Sequence, residues 1–86
     1  MAQRRMFSRQ LVESDRFSDM SPTARLLYFY LGLSADDDGF VDGVRRVQRS
    51  MGASEDDIKV LIAKGYLITF DDGACVLTRW RLDNTI

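Results

Sequence analysis

Histidine is absent from this chain and cysteine occurs once, at Cys75. The usual zinc ligand sets therefore cannot be assembled within one chain, and a lone cysteine excludes an internal disulfide and fits a reducing cytoplasm. No apolar run approaches the roughly 20 residues that cross a bilayer. The opening Met-Ala-Gln-Arg-Arg-Met-Phe-Ser has neither an apolar h-region nor a cleavage site, so neither membrane insertion nor secretion is expected. A glycine-rich phosphate loop of the Gly-x-x-x-x-Gly-Lys type is missing, as is any nucleophile in a recognisable setting. No catalytic residue, metal or cofactor is assigned, and the chain is expected not to be an enzyme. An overall positive charge is lacking too: the net charge is -1 and the isoelectric point about 5.2.

Within 86 residues there is room for one domain, and a chain this short buries only about 60 to 65% of its unfolded surface. Its positive charge is clustered. Arg4, Arg5 and Arg9 stand near the start, Arg45, Arg46 and Arg49 close together, and Arg79 and Arg81 near the end. Phosphate binding follows the local field more than the total charge. Ten of the twelve basic residues are arginine, whose planar fork matches phosphate oxygens and guanine edges and also makes ion pairs.

Asp42 to Trp80 carries the clearest pattern. Val44, Val47 and Met51 fall at i, i+3 and i+7, one stripe of a helix over Asp42–Gly52, and Arg45, Arg46 and Arg49 take the opposite face. Gly52 suits the left-handed residue that closes a helix, and Ser54 suits the cap of the next, over Ser54–Gly65. Glu55, Asp56 and Asp57 sit at the positive end of that helix dipole. Ile58, Leu61 and Ile62 form its apolar stripe, leaving Asp56, Lys59, Val60 and Ala63 outward. Two β-prone runs then flank Asp72-Gly73, a hairpin turn. Gly39-Phe40-Val41 reads as a short first strand that pairs with this hairpin, with Asp42 as the following cap. Helix, turn, helix, hairpin is the order of a winged helix, so the expected class is α+β, mainly α: three helices, a small antiparallel sheet and a C-terminal wing.

Upstream, Ser21-Pro22 opens a long helix to about Leu33, with serine as cap and proline at the first helical position. Ala24, Leu27, Tyr28 and Leu31 make its core stripe. Leu26, Phe29, Tyr30 and Leu33 leave little of its circumference polar, so a second cover is required: the N-terminal segment or another protomer. Residues 1–20 are expected to form an arm, with a short strand around 6–12, that pins Phe17 and Met20 on the body. Its arginines admit two readings, a DNA-tracking arm or a solvated terminus. Tyr66, Phe70 and Trp80 are expected as core or cross-strand residues, and Cys75 as a buried apolar one. Ser34 to Gly39 imitates a calcium loop, but position 12 falls on Arg45 where a glutamate is required.

The opening Arg4-Arg5-Met6-Phe7-Ser8, the Asp36-Asp37-Asp38-Gly39-Phe40-Val41 run, Met51-Gly52-Ala53-Ser54-Glu55-Asp56-Asp57 and Lys64-Gly65-Tyr66-Leu67-Ile68 resemble the N-terminal domain of phage replisome organisers, relatives of the DnaD-type replication initiators. The likeness covers nearly the whole chain. It implies a winged helix over 21–80, self-association, and a role in gathering replication proteins, such as a helicase or its loader, at an origin in the bacterial cytoplasm. It also implies that residues 81–86 begin a linker to a C-terminal region, the chain being an isolated domain or a truncated product.

Two functions of different classes are compatible with these residues. In one, Arg45, Arg46, Arg49, Lys59 and Arg79, with Arg4 and Arg5, contact double-stranded DNA, although the acidic start of the second helix and the acidic hairpin tip are poor surfaces for it. In the other, the domain is a protein-interaction and homo-oligomerisation module, its partner surface on Leu26, Phe29, Tyr30 and Leu33.

Overall fold

The computed structural model describes residues 7–36 and 38–79. The described chain is an α+β, mainly helical domain of five helices and a three-stranded antiparallel sheet: α1 (Arg9–Glu13), α2 (Asp15–Ser18), α3 (Pro22–Ser34), β1 (Phe40–Val41), α4 (Val44–Met51), α5 (Glu55–Ala63), β2 (Leu67–Thr69) and β3 (Cys75–Leu77).

The N-terminal segment departs from the expected arm and strand. Ser8 and Ser14 each accept a bond from an amide three residues on, Leu11 and Phe17, and so start two short helices in succession. Hydroxyl caps at this spacing satisfy free first-turn amides, and they turn what composition presents as a strand into a helical corner. The count of helices rises accordingly from three to five. The corner pins Phe17 and Met20 into the core as expected.

α3 is the central post. Ser21 caps it, Pro22 occupies its first turn, and Ala24, Leu27, Tyr28 and Leu31 are buried. It packs on both α4 and α5. An aromatic cluster seals its upper side: Phe17 lies edge-on to Tyr28 at 5.6 Å and to Tyr66 at 6.0 Å, and Phe7 edge-on to Phe29 at 4.9 Å. Such edge-to-face pairs are the favoured geometry of aromatic quadrupoles. Phe29 thus packs against its own N-terminal segment and is half-buried. Leu26, Tyr30 and Leu33 remain exposed.

The sheet runs β1-β3-β2, with Phe40 opposite Val76, Val41 opposite Cys75, and Leu67, Ile68 and Thr69 opposite Leu77, Val76 and Cys75. The short first strand therefore joins the hairpin as its sequence implies. Val41, Leu67, Cys75 and Leu77 face the core. Cys75 is a buried free cysteine packed in the core, and burial pushes its thiol up to about 12. Gly73 takes φ 88° in the turn, a conformation a β-carbon would strain. Trp80, expected in the core or the hairpin, lies outside the described residues, as does the 81–86 linker. No helix among the described residues is long and apolar enough to cross a membrane.

Candidate nucleic-acid interface

α4 is short because its boundaries are set by glycines. Gly43 is its N-cap and gives no side-chain bond, so Asp42 does not cap it as expected. Asp42 stands outside in solvent. Gly52, φ 77°, ends the helix in the left-handed conformation, with its amide on the Arg49 carbonyl. Val44 and Val47 are buried and Met51 is half-buried, which fixes the opposite face in solvent. The burial of Gln48 was not foreseen. Its side-chain amide donates to the Ala53 carbonyl at 3.0 Å and holds the turn into α5.

Arg45, Arg46 and Arg49 are all exposed, and they are not equivalent. Arg45 is ion-paired with Glu55 at the start of α5, so it is not a free cation. Arg46 bends back beside Gly43, where an added β-carbon would stand 3.5 Å from its guanidinium carbon. Arg46 and Arg49 have no carboxylate in ion-pairing range among the described residues. Lys59, on the outward face of α5, is exposed and lines a groove of about 340 Å³ with Arg45, Glu55, Ile62, Phe70 and Asp71. That groove is nearly balanced in charge.

Arg79 does not belong to this surface. It follows the far end of β3 from the Asp71–Gly73 turn, its guanidinium 6.0 Å from the centre of the Tyr66 ring, a cation–π arrangement. There it lines a second hollow, about 260 Å³, with Ser8, Gln10, Leu11, Ser14 and Arg16. Arg16 donates to the Lys64 carbonyl at 2.6 Å and so caps the end of α5 from a distance of 48 residues in sequence. The sequence held no sign of that contact. Arg4 and Arg5 lie outside the described residues.

The start of α5 is built around Asp57. Its carboxylate accepts from the Ser54 amide at 3.1 Å while its own amide donates to the Ser54 hydroxyl at 3.3 Å, a reciprocal capping box. The Ser21 hydroxyl donates to the same carboxylate at 3.1 Å. Burial pushes this carboxyl up, but the hydrogen bonds from Ser54, Thr23 and Ser21 outweigh it and hold Asp57 below the ordinary range. Glu55 and Asp56 stay exposed beside it. Ile62, expected in the core, is also exposed: of its apolar residues α5 buries Ile58 and Leu61, and Val60 is half-buried.

No protein-family model, curated protein or solved structure matches this chain.

Proposed function

We propose that this chain is a DNA-binding domain of the winged-helix type that grips the phosphate backbone through α4. The succession α3, β1, α4, α5, β2, β3, with β1 added to the hairpin, supports that type. The observation that carries the function is the pair Arg46 and Arg49: exposed, three residues apart on one helix face, and without an acidic partner among the described residues. Residues so spaced are neighbours on a helix surface, and guanidinium groups suit phosphate oxygens. Lys59 adds a third cation across the groove. Docking is through the flank of α4, because Glu55 and Asp56 on α5 and Asp71 and Asp72 at the hairpin turn repel phosphates.

Fluorescence anisotropy of a labelled duplex across a salt series tests this. Replacing both Arg46 and Arg49 with alanine is expected to weaken binding and to lower the slope of log affinity against log salt by roughly 2 units, about 0.9 per lost phosphate contact. Arg79→Ala should leave both unchanged. A double variant that binds like the parent at every salt concentration overturns the assignment.

The narrower role, a phage or prophage replication initiator that gathers a helicase or helicase loader at an origin in the bacterial cytoplasm, rests on the resemblance to replisome organisers. Preference for an origin fragment over a shuffled duplex of equal length would support it. A second reading, an oligomerisation module with little DNA binding, is favoured by one observation: Leu26, Tyr30 and Leu33, at i, i+4 and i+7 of α3, form an exposed apolar stripe.

A further inference from the structure

We infer that the outer face of the sheet, with the groove beside it, docks a basic amphipathic segment of a partner protein. One face of the sheet is spent on the core. On the other, the register sets Phe40 and Ile68 on either side of Val76, and Phe70, two residues beyond Ile68, points the same way. The Phe40 and Phe70 rings stack, 6.2 Å between centres and 23° between planes. Phe40, Ile68 and Phe70 are 43, 51 and 46% exposed, and Ile62, 40% exposed, shares the neighbouring groove with Phe70. The buried Val44 and Ile58 also line that groove. The rings shield each other only in part, and a continuous apolar surface with a polar rim marks a protein contact.

The rim identifies the chemistry of the occupant. Residues 36–44 and 66–78 contain no lysine or arginine; the groove beside them adds Lys59 and Arg45, the latter ion-paired with Glu55, so the acidic side of the site is the sheet and its turns. Asp36, Asp38 and Asp42 bracket Phe40, Asp71 and Asp72 follow Phe70, and all five are exposed. Asp36 accepts the amides of Asp38 and Phe40, and Asp72 accepts that of Ala74, which fixes these carboxylates without neutralising them. None of the five has an ion-pair partner among the described residues. Like charge turns nucleic acid away from this face, and lysine or arginine is drawn to it. An apolar side chain of the partner sits between Ile62 and Phe70 while its basic neighbours face the aspartates.

A second copy of this chain is a poor match for the patch. Its free arginines on α4 have no exposed apolar neighbours on that helix, and the apolar stripe of α3 carries no fully exposed basic residue. The groove adjoins the proposed DNA surface at Lys59, but Arg46 and Arg49, which carry that proposal, are not among the residues that line it.

The probe is a synthetic amphipathic helix of leucine and lysine, titrated into the isotopically labelled chain and followed by amide chemical shifts; its counterpart with glutamate for lysine is the control. Shifts are expected to cluster on Phe40, Ile62, Ile68, Phe70 and Val76 for the lysine peptide alone. Phe70→Ser should weaken binding at least tenfold, and the triple change Asp42→Asn, Asp71→Asn and Asp72→Asn should do the same and remove the salt dependence. Arg46→Ala with Arg49→Ala should have no effect. Equal binding by the parent, the Phe70→Ser chain and the triple variant, shifts centred on Glu55 and Asp56 instead, or concentration-dependent shifts at the patch without peptide would each overturn the inference. All six substituted positions are exposed, so folding of the variants, checked by thermal melts, is preserved.

Discussion

Asp57 sits where two helices begin. It closes the capping box of α5 with Ser54 and receives the hydroxyl of Ser21, which itself caps α3 by accepting from the Ala24 amide at 3.2 Å. One carboxylate therefore ties together two helix starts that are 36 residues apart in sequence. Its folded pKa is depressed from the ordinary 3.8. Its stabilisation is thus present above that value and is lost as pH falls through the lower folded one. Asp57→Asn is expected to cost about 1 kcal/mol near neutral pH, the usual worth of a cap. Urea midpoints from pH 2 to 7 should show the gap between variant and parent closing on the acid side. The sequence announced Ser54 as a cap, and the spacing of three puts Asp57 at the position that closes the box, but the tie to Ser21 depends on another helix start arriving beside it. The same limit applied to the arginines: Arg45 looked equivalent to Arg46 and Arg49 until α5 delivered Glu55 to it.

At the scale of elements, the strongest periodicities were reliable and the shortest segments were not. α3 and α5 start at Ser21 and Ser54 as expected, and α4 ends at Gly52, because each carries a signal internal to itself. The first eighteen residues carried weaker ones. Their two serine-capped turns are too short to be stable alone, and they persist because Phe7 and Phe17 pack against α3 and Tyr66. Gly32 records how close that packing is: an added β-carbon would stand 2.6 Å from the Phe7 ring. Phe7→Ala should lower stability by about 2 kcal/mol, less than the 3 to 5 of a fully buried ring, because Phe7 is half-buried. It should also speed amide exchange in α1 before the rest of the domain, measurable by hydrogen exchange.

For the molecule as a whole, charge and apolar surface are segregated. Free arginines lie along α4, aspartates ring the sheet, and Leu26, Tyr30 and Leu33 run down α3. If that last stripe holds protomers together, mass measured by sedimentation should rise with concentration and Leu33→Ser with Leu26→Ser should return it to monomer. A parent that stays monomeric throughout would leave α3 without an oligomeric role. The DNA and peptide experiments address the other two surfaces and can succeed or fail separately.

Local signals in the chain determined the order of its main helices, the hairpin and its pairing with Phe40–Val41, since caps, apolar spacing and a glycine turn act over a few neighbouring residues. Tertiary structure alone decided which cations stay free, which hydrophobic side chains stay out, and where Arg79 goes. Those outcomes depend on what distant segments bring alongside. A carboxylate from α5, a ring from the N-terminal corner or a strand edge can cancel or expose a side chain that is indistinguishable from its neighbours along the chain.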